Sequence, residues 1–220
     1  MQKHCWLSSS IGRKQLIGLT GLGLSLFVLT HMLGNMLIFV GPQAYNEYGH
    51  ALVSNPLIYL AEAGLLAAFC AHLLIALKIS YANFKARPVG YAVKASGDKG
   101  TSAAKRLLWA QGLLILVFVI LHLITFKFGA EYTVDYGKGP IRDLHKLMIE
   151  VFKDPAYVAW YVVAVFVLGA HLIHGIGSAF QTLGINHPKY NCAIKCVSWF
   201  YGIAVAAGFA AQPIYVFFFQ

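Results

Sequence analysis

Four histidines, His31, His72, His122 and His171, each stand inside a different long apolar stretch of the chain. An ionisable side chain in a membrane interior is expensive and marks function by default. One such histidine is most simply polar packing between helices. Four, one per stretch and at comparable depth from where each stretch begins, form a pattern that two haems explain, with imidazoles at both axial positions of each iron.

Composition dictates the elements that must carry them. The chain has 220 residues, of which 59% are hydrophobic and 11% charged, with a mean hydropathy of +0.66. That excludes a soluble globular domain and predicts an all-α polytopic membrane protein, a single unit over 1–220. Apolar segments at about 15–40, 56–84, 106–128, 156–183 and 194–219 are each long enough to cross a hydrocarbon core of roughly 30 Å, which gives a five-helix bundle. Arg13 and Lys14 before an apolar run resemble a signal peptide. The run to Val40 is too long for one and carries His31 and Asn35, so it is read as a retained span. No length remains for a soluble catalytic domain, so chemistry on a water-soluble substrate falls to a partner. The segments between spans, 41–55, 85–105 and 129–155, read as loops, the second with room for a short surface helix. Cys5 and Cys70 stand alone and Cys192 and Cys196 are one helical turn apart, which is not the spacing of a zinc knuckle or iron–sulfur site.

The net charge of +9 is distributed as a topology signal and not as a nucleic-acid groove. Lys3, Arg13 and Lys14, six basic residues from Lys85 to Arg106, and Lys189 and Lys195 fall on one face. The other face carries Lys127, Lys138, Arg142, Lys146 and Lys153, matched by Glu131, Asp135, Asp143, Glu150 and Asp154. The first face is therefore expected to be cytoplasmic, with the N-terminus inside and the C-terminus outside.

Depth then decides which histidines pair. The first and third segments run outward, and each histidine comes about 16 residues in, roughly 24 Å of helical rise. The second and fourth run inward to similar depth. His31 is expected to meet His122 toward the outer face, and His72 to meet His171 nearer the cytoplasm. His174, one turn beyond His171, is the rival ligand in the fourth span and better suited to a propionate or backbone contact. Gly34 and Gly175 are small enough to let a flat macrocycle lie against the helix, or helices pack closely.

The stretches Ser8-Ser9-Ser10-Ile11-Gly12-Arg13-Lys14, His31-Met32-Leu33-Gly34-Asn35 and His171-Leu172-Ile173-His174-Gly175, the last continuing through Ser178-Ala179-Phe180-Gln181-Thr182-Leu183-Gly184, carry a likeness that extends over nearly the whole chain. In them the sequence resembles the membrane-anchor cytochrome b subunit of succinate:quinone oxidoreductases (succinate dehydrogenase or menaquinol:fumarate reductase), in its single-polypeptide, two-haem form. The resemblance implies two haem b with the same ligand pairs, and menaquinone as the membrane substrate. It implies two cytoplasmic partners, a flavoprotein with covalent FAD and an iron–sulfur subunit, with the basic 85–106 loop as a docking face. A dimer of complexes is one assembly it admits. At one position the chain departs from the pattern. Some menaquinol-oxidising relatives carry a glutamate two residues before the fourth-span ligand, proposed for proton transfer, and this chain has Gly169.

Quinone binding needs an apolar slot, hydrogen bonds to two carbonyls and a proton path. Glu62 is the acidic residue inside an apolar span, about ten residues outward of His72, and Tyr45, Glu47, Tyr48 and His50 in the adjoining segment could complete a site. Haem propionates want basic or hydrogen-bonding partners. Lys105, Arg106 and Trp109, with Gln181 on the same side, are the candidates for the inner haem. Two other readings stay open at this level: a bis-histidine cytochrome of the b561 or hydrogenase type, and a haem-free transporter or anchor using histidines as proton relays.

Overall fold

The computed structural model describes residues 9–86 and 107–220. Among them the chain runs through α1 (Ser10–Asn35), a 3-10 turn (Met36–Phe39), α2 (Pro42–Val53), α3 (Leu57–Ala86), α4 (Leu108–His122) and a π turn (Leu123–Lys127). A hairpin of β1 (Thr133–Asp135) and β2 (Pro140–Arg142) follows, then α5 (Leu144–Phe152), α6 (Pro155–Thr182) and α7 (Pro188–Phe219). Among the described residues five helices are long and apolar enough to cross a membrane: Ser10–Phe39, Leu57–Ala86, Leu108–Lys127, Pro155–Thr182 and Pro188–Phe219.

The boundaries differ from the hydropathy pattern where capping chemistry decides. The first helix starts at Ser10 because the Ser9 hydroxyl accepts from the Gly12 amide at 2.9 Å. The last starts at Pro188, ahead of the apolar segment: His187 caps it by accepting from the Lys189 amide, and Pro188 occupies the first turn, where its missing N–H is no loss.

Two segments read as loops are structured. Residues 42–53 form α2, and 129–155 contain the β1–β2 hairpin, paired Val134 to Ile141, followed by α5. All of these connect span ends on the same side of the bundle and build a cap there. The cap closes around Asn46, which has no exposed surface. Its amide donates to Asp143 Oδ1 at 2.8 Å and to the Tyr136 hydroxyl at 3.1 Å, and its oxygen accepts from the His145 amide at 2.9 Å. Asp143 in turn caps α5 by accepting from the Lys146 amide. Replacing Asn46 with alanine strands these partners in a dry site. Thermal unfolding in detergent should show a loss of about 1–3 kcal/mol, and an unchanged midpoint would contradict the role given to this side chain.

The bundle core lies between α1, α6 and α7. Met32, Leu172, Ile176 and Val205 form one buried cluster. Ile38, Met148, Phe152, Tyr161 and Val216 form a second that joins the cap to α6 and α7. By contrast α3 and α4 bury no residue and meet their neighbours along narrow strips. Helices α6 and α7 approach at glycines. A Cβ at Gly169 would lie 2.8 Å from both the Ala206 Cβ and the Gly202 carbonyl oxygen. Backbone contact through small residues is how helices pack when lipid removes the hydrophobic incentive. Gly169→Val should therefore force α6 from α7 and cost about 1–3 kcal/mol or more, read as a lower melting temperature in detergent; a variant that melts with the parent would refute this contact.

Candidate functional site

The fold brings the four histidines together in two pairs, each joining two helices. His31 of α1 stands against His122 of α4 with ring centres 5.8 Å apart and planes at 88°. His72 of α3 stands against His171 of α6 with ring centres 6.5 Å apart and planes at 73°. The first pair is at the capped end and the second lies toward the opposite end. Their separation can be gauged twice from helix geometry. Thr20, beside His72, and His31 are both on α1, and Tyr161, beside His122, and His171 are both on α6. Either interval corresponds to roughly 15 Å of rise.

These spacings fit a metal shared by two imidazoles. With each nitrogen–metal bond about 2 Å, as in zinc sites, and each ring centre about 1 Å beyond its nitrogen, the ring centres come out roughly 6 Å apart. Among the described residues no three His, Cys, Asp or Glu side chains converge on one point. Two protein ligands suffice for an iron that brings a macrocycle with it. The donor set and the ring spacing both fit haem.

The surroundings of each ring are specific. Phe27 stacks on His31 at 5.3 Å and Phe118 on His122 at 5.8 Å, each from one turn earlier on the same helix. Asn35 Nδ2 donates to the His31 carbonyl at 2.8 Å and lies 3.4 Å from its Nε2, while Asn35 Oδ1 accepts from the Tyr45 hydroxyl at 2.7 Å. His72 Nδ1 is 3.2 Å from the Thr20 hydroxyl, and His122 Nδ1 is 3.3 Å from the Tyr161 hydroxyl. His171 Nδ1 is buried with no hydrogen-bond partner. A Cβ at Gly21 would come 3.2 Å from the His72 ring, so the absence of a side chain there lets α1 approach it. Thr20, Gly21 and Tyr161 were not evident from sequence. Depth was the available signal for Thr20 and Tyr161: each is a polar residue in an apolar helix at the level of a histidine on another.

Comparison with protein-family models, curated proteins and solved structures finds no match to this chain.

The remaining candidates divide. His174 Nε2 is 3.2 Å from Ser178 Oγ one turn on in its own helix. Gly34 does not offer a face to a macrocycle, because the Tyr48 ring fills the space and a Cβ would come 2.6 Å from its hydroxyl. Gly175 has no heavy atom within 4 Å of its Cβ position, so that face of α6 is open. Trp109 is 66% exposed at the start of α4, and Gln181 is exposed near the end of α6, both away from the cap. Lys105 and Arg106 lie outside the described residues. Gln111, which sequence reasoning did not select, buries its Oε1 without a partner near the start of α4.

The quinone candidates split into two places. Glu62 pairs with Lys127 at the end of the π turn, both about half exposed. It lines a largely apolar crevice of about 350 Å³ between α1 and α3, together with Gly23, Leu24, Phe27 and Leu65. Phe27 connects that crevice directly to His31. Glu47 and His50 line a separate groove against Tyr136 and Lys138. The Gln43 amide and then the Lys138 ammonium hold the Glu47 carboxyl below its usual range. His50 Nε2 is 3.2 Å from Ser54 Oγ. Tyr45 belongs to neither cavity: it reaches Asn35 and meets the His145 ring edge-on at 6.3 Å. Burial pushes its phenol above the ordinary range and holds the His145 imidazole below its own.

Proposed function

We propose that this chain is the di-haem cytochrome b membrane anchor of a succinate:quinone oxidoreductase, seated in a bacterial inner membrane with its N-terminus in the cytoplasm. One observation carries the reading: two imidazole pairs, each across two helices, at metal-sharing distance and stacked roughly 15 Å apart along α1 and α6. His31 and His122 would hold the outer haem, His72 and His171 the inner. Each bound haem supplies a one-electron carrier, so the pair links one membrane face to the other.

What the chain itself contributes is placement. Phe27 and Phe118 fix the outer ligand rings, and α1, α4 and α6 hold the four imidazoles at two depths with α3. The crevice lined by Glu62 and Phe27 is the menaquinone site in this reading. Its apolar wall takes the ring and tail, and Glu62 with Lys127 offers a carboxylate and an ammonium where a quinone carbonyl gains or loses its proton. Gly169 presses on the Gly202 carbonyl and leaves no room for a carboxylate beside the inner pair.

Dicarboxylate chemistry belongs to the flavoprotein with covalent FAD, reached through the iron–sulfur subunit docked on the basic cytoplasmic face. Copurification tests this against other bis-histidine cytochromes. Gentle extraction should bring down a flavoprotein and an iron–sulfur protein with the chain, and succinate added to that preparation should reduce its b-type absorbance. A chain that carries haem but arrives with neither partner and does not respond to succinate would contradict the assignment.

A further inference from the structure

The hydroxyls beside His72 and His122 constrain which ring nitrogen each histidine can present to a metal. Thr20 Oγ1 lies 2.8 Å from the Leu16 carbonyl and 3.2 Å from the Ile17 carbonyl of its own helix. Carbonyls only accept, so the single hydroxyl proton is committed to them. The Thr20 oxygen can then only accept from His72 Nδ1, 3.2 Å away. His72 Nδ1 therefore carries the proton, and Nε2 is the bare nitrogen.

At the other level Tyr161 is 6% exposed. Its ring is wedged by Phe118 at 4.9 Å and Phe152 at 5.0 Å. Among the described residues its hydroxyl has one hydrogen-bond partner, His122 Nδ1 at 3.3 Å. A buried phenol keeps such a partner, and a caged one holds it in a fixed direction. With Nδ1 occupied, Nε2 is again the nitrogen left for metal. The two remaining ligands lack this arrangement: His171 Nδ1 has no partner, and Asn35 approaches His31 at Nε2.

We propose that Thr20 and Tyr161 are positioning residues, one for each haem site: Thr20 fixes His72 as the Nδ1–H tautomer, and Tyr161 holds His122 at Nδ1, so that with Nε2 on a metal the His122 Nδ1–H donates to the phenol oxygen. This rests on the di-haem reading above. An imidazole whose N–H is held by an oxygen is a stronger donor to its metal and favours the oxidised iron. Each site then has its own handle, on a different helix from the ligand it holds.

The test is a redox titration of b-type absorbance on the full-length protein with whatever subunits copurify. Tyr161→Phe keeps the ring and removes the oxygen. It should raise the midpoint of one haem by about tenfold in its reduction equilibrium constant, about 59 mV for one electron, and leave the other in place. Thr20→Val should raise the other midpoint alone, and Thr20→Ser, which keeps the hydroxyl, should return the parental value. The shifted component is assigned by which haem survives in His122→Ala and in His72→Ala. If both haems are present and neither variant moves a midpoint, or if either moves both, the positioning roles are wrong while the haem reading stands. Absence of haem from the parent protein would instead remove the reading itself, before any variant is made.

Discussion

His122→Ala is expected to lose one of two haems and keep the other, and His31→Ala is expected to lose the same one. His72→Ala and His171→Ala should each lose the second. The expectation follows from the pairing of rings at 5.8 Å and 6.5 Å and from the absence, among the described residues, of a third ligating side chain converging on either pair. In the di-haem proposal each iron would be held by two imidazoles, so removing one would leave a single protein ligand, and His174 Nε2 is engaged with Ser178 Oγ one turn along α6. Haem content per chain in purified variants should fall by about half, in two groups of two with distinct residual spectra. Grouping by helix neighbour instead, for instance His31 with His72, would overturn the pairing.

Glu62→Gln is expected to slow menaquinol-dependent reduction of the outer haem by about a hundredfold, within the range a positioned acid–base group contributes. Haem content should not change, since Glu62 touches Lys127 and the crevice wall and no ligand. The amide retains shape and hydrogen bonding but cannot take a proton. Lys127→Met should slow the same step to a lesser degree by removing the paired ammonium. The measurement is stopped-flow reduction of the b-type absorbance by a menaquinol analogue. Equal rates in Glu62→Gln and parent would make the ion pair a brace between α3 and the end of α4 and nothing more. Tyr45, Glu47, Tyr48 and His50, which sequence proximity had gathered with Glu62, provide the contrast. None of them lines that crevice, and substitutions at Glu47 or His50 should leave the rate near parental.

The spans and the depth of the histidines were legible in the sequence because both depend on local properties, runs of apolar residues and helical rise. The same arithmetic that places His31 opposite His122 uses nothing tertiary. The cap was not legible for the converse reason. Helix α2 and the 140–152 segment are short, and their order comes from Asn46 meeting Asp143 and His145 across about a hundred residues of chain. No window of sequence contains that contact. Gly34 shows the limit of reading a small residue by its neighbour: beside His31 it suggested room for a macrocycle, yet its missing Cβ accommodates Tyr48 from α2. Gly169 shows the opposite. Its place two residues before His171 drew attention to a missing carboxylate, and its contact with Gly202 gives the physical reason a larger side chain is not accommodated. Thr20 and Tyr161 were hidden because a hydroxyl in an apolar helix becomes informative only once the imidazole on the facing helix is known.

The di-haem proposal requires iron porphyrin in the purified chain. Extraction from membranes followed by a dithionite-reduced minus oxidised spectrum, with haem quantified against protein, is the measurement that reaches that claim. Two b-type haems per chain, reducible in separate steps, are predicted. A colourless protein, or one whose haem content is untouched by replacing His31, His72, His122 and His171 in turn, would contradict it.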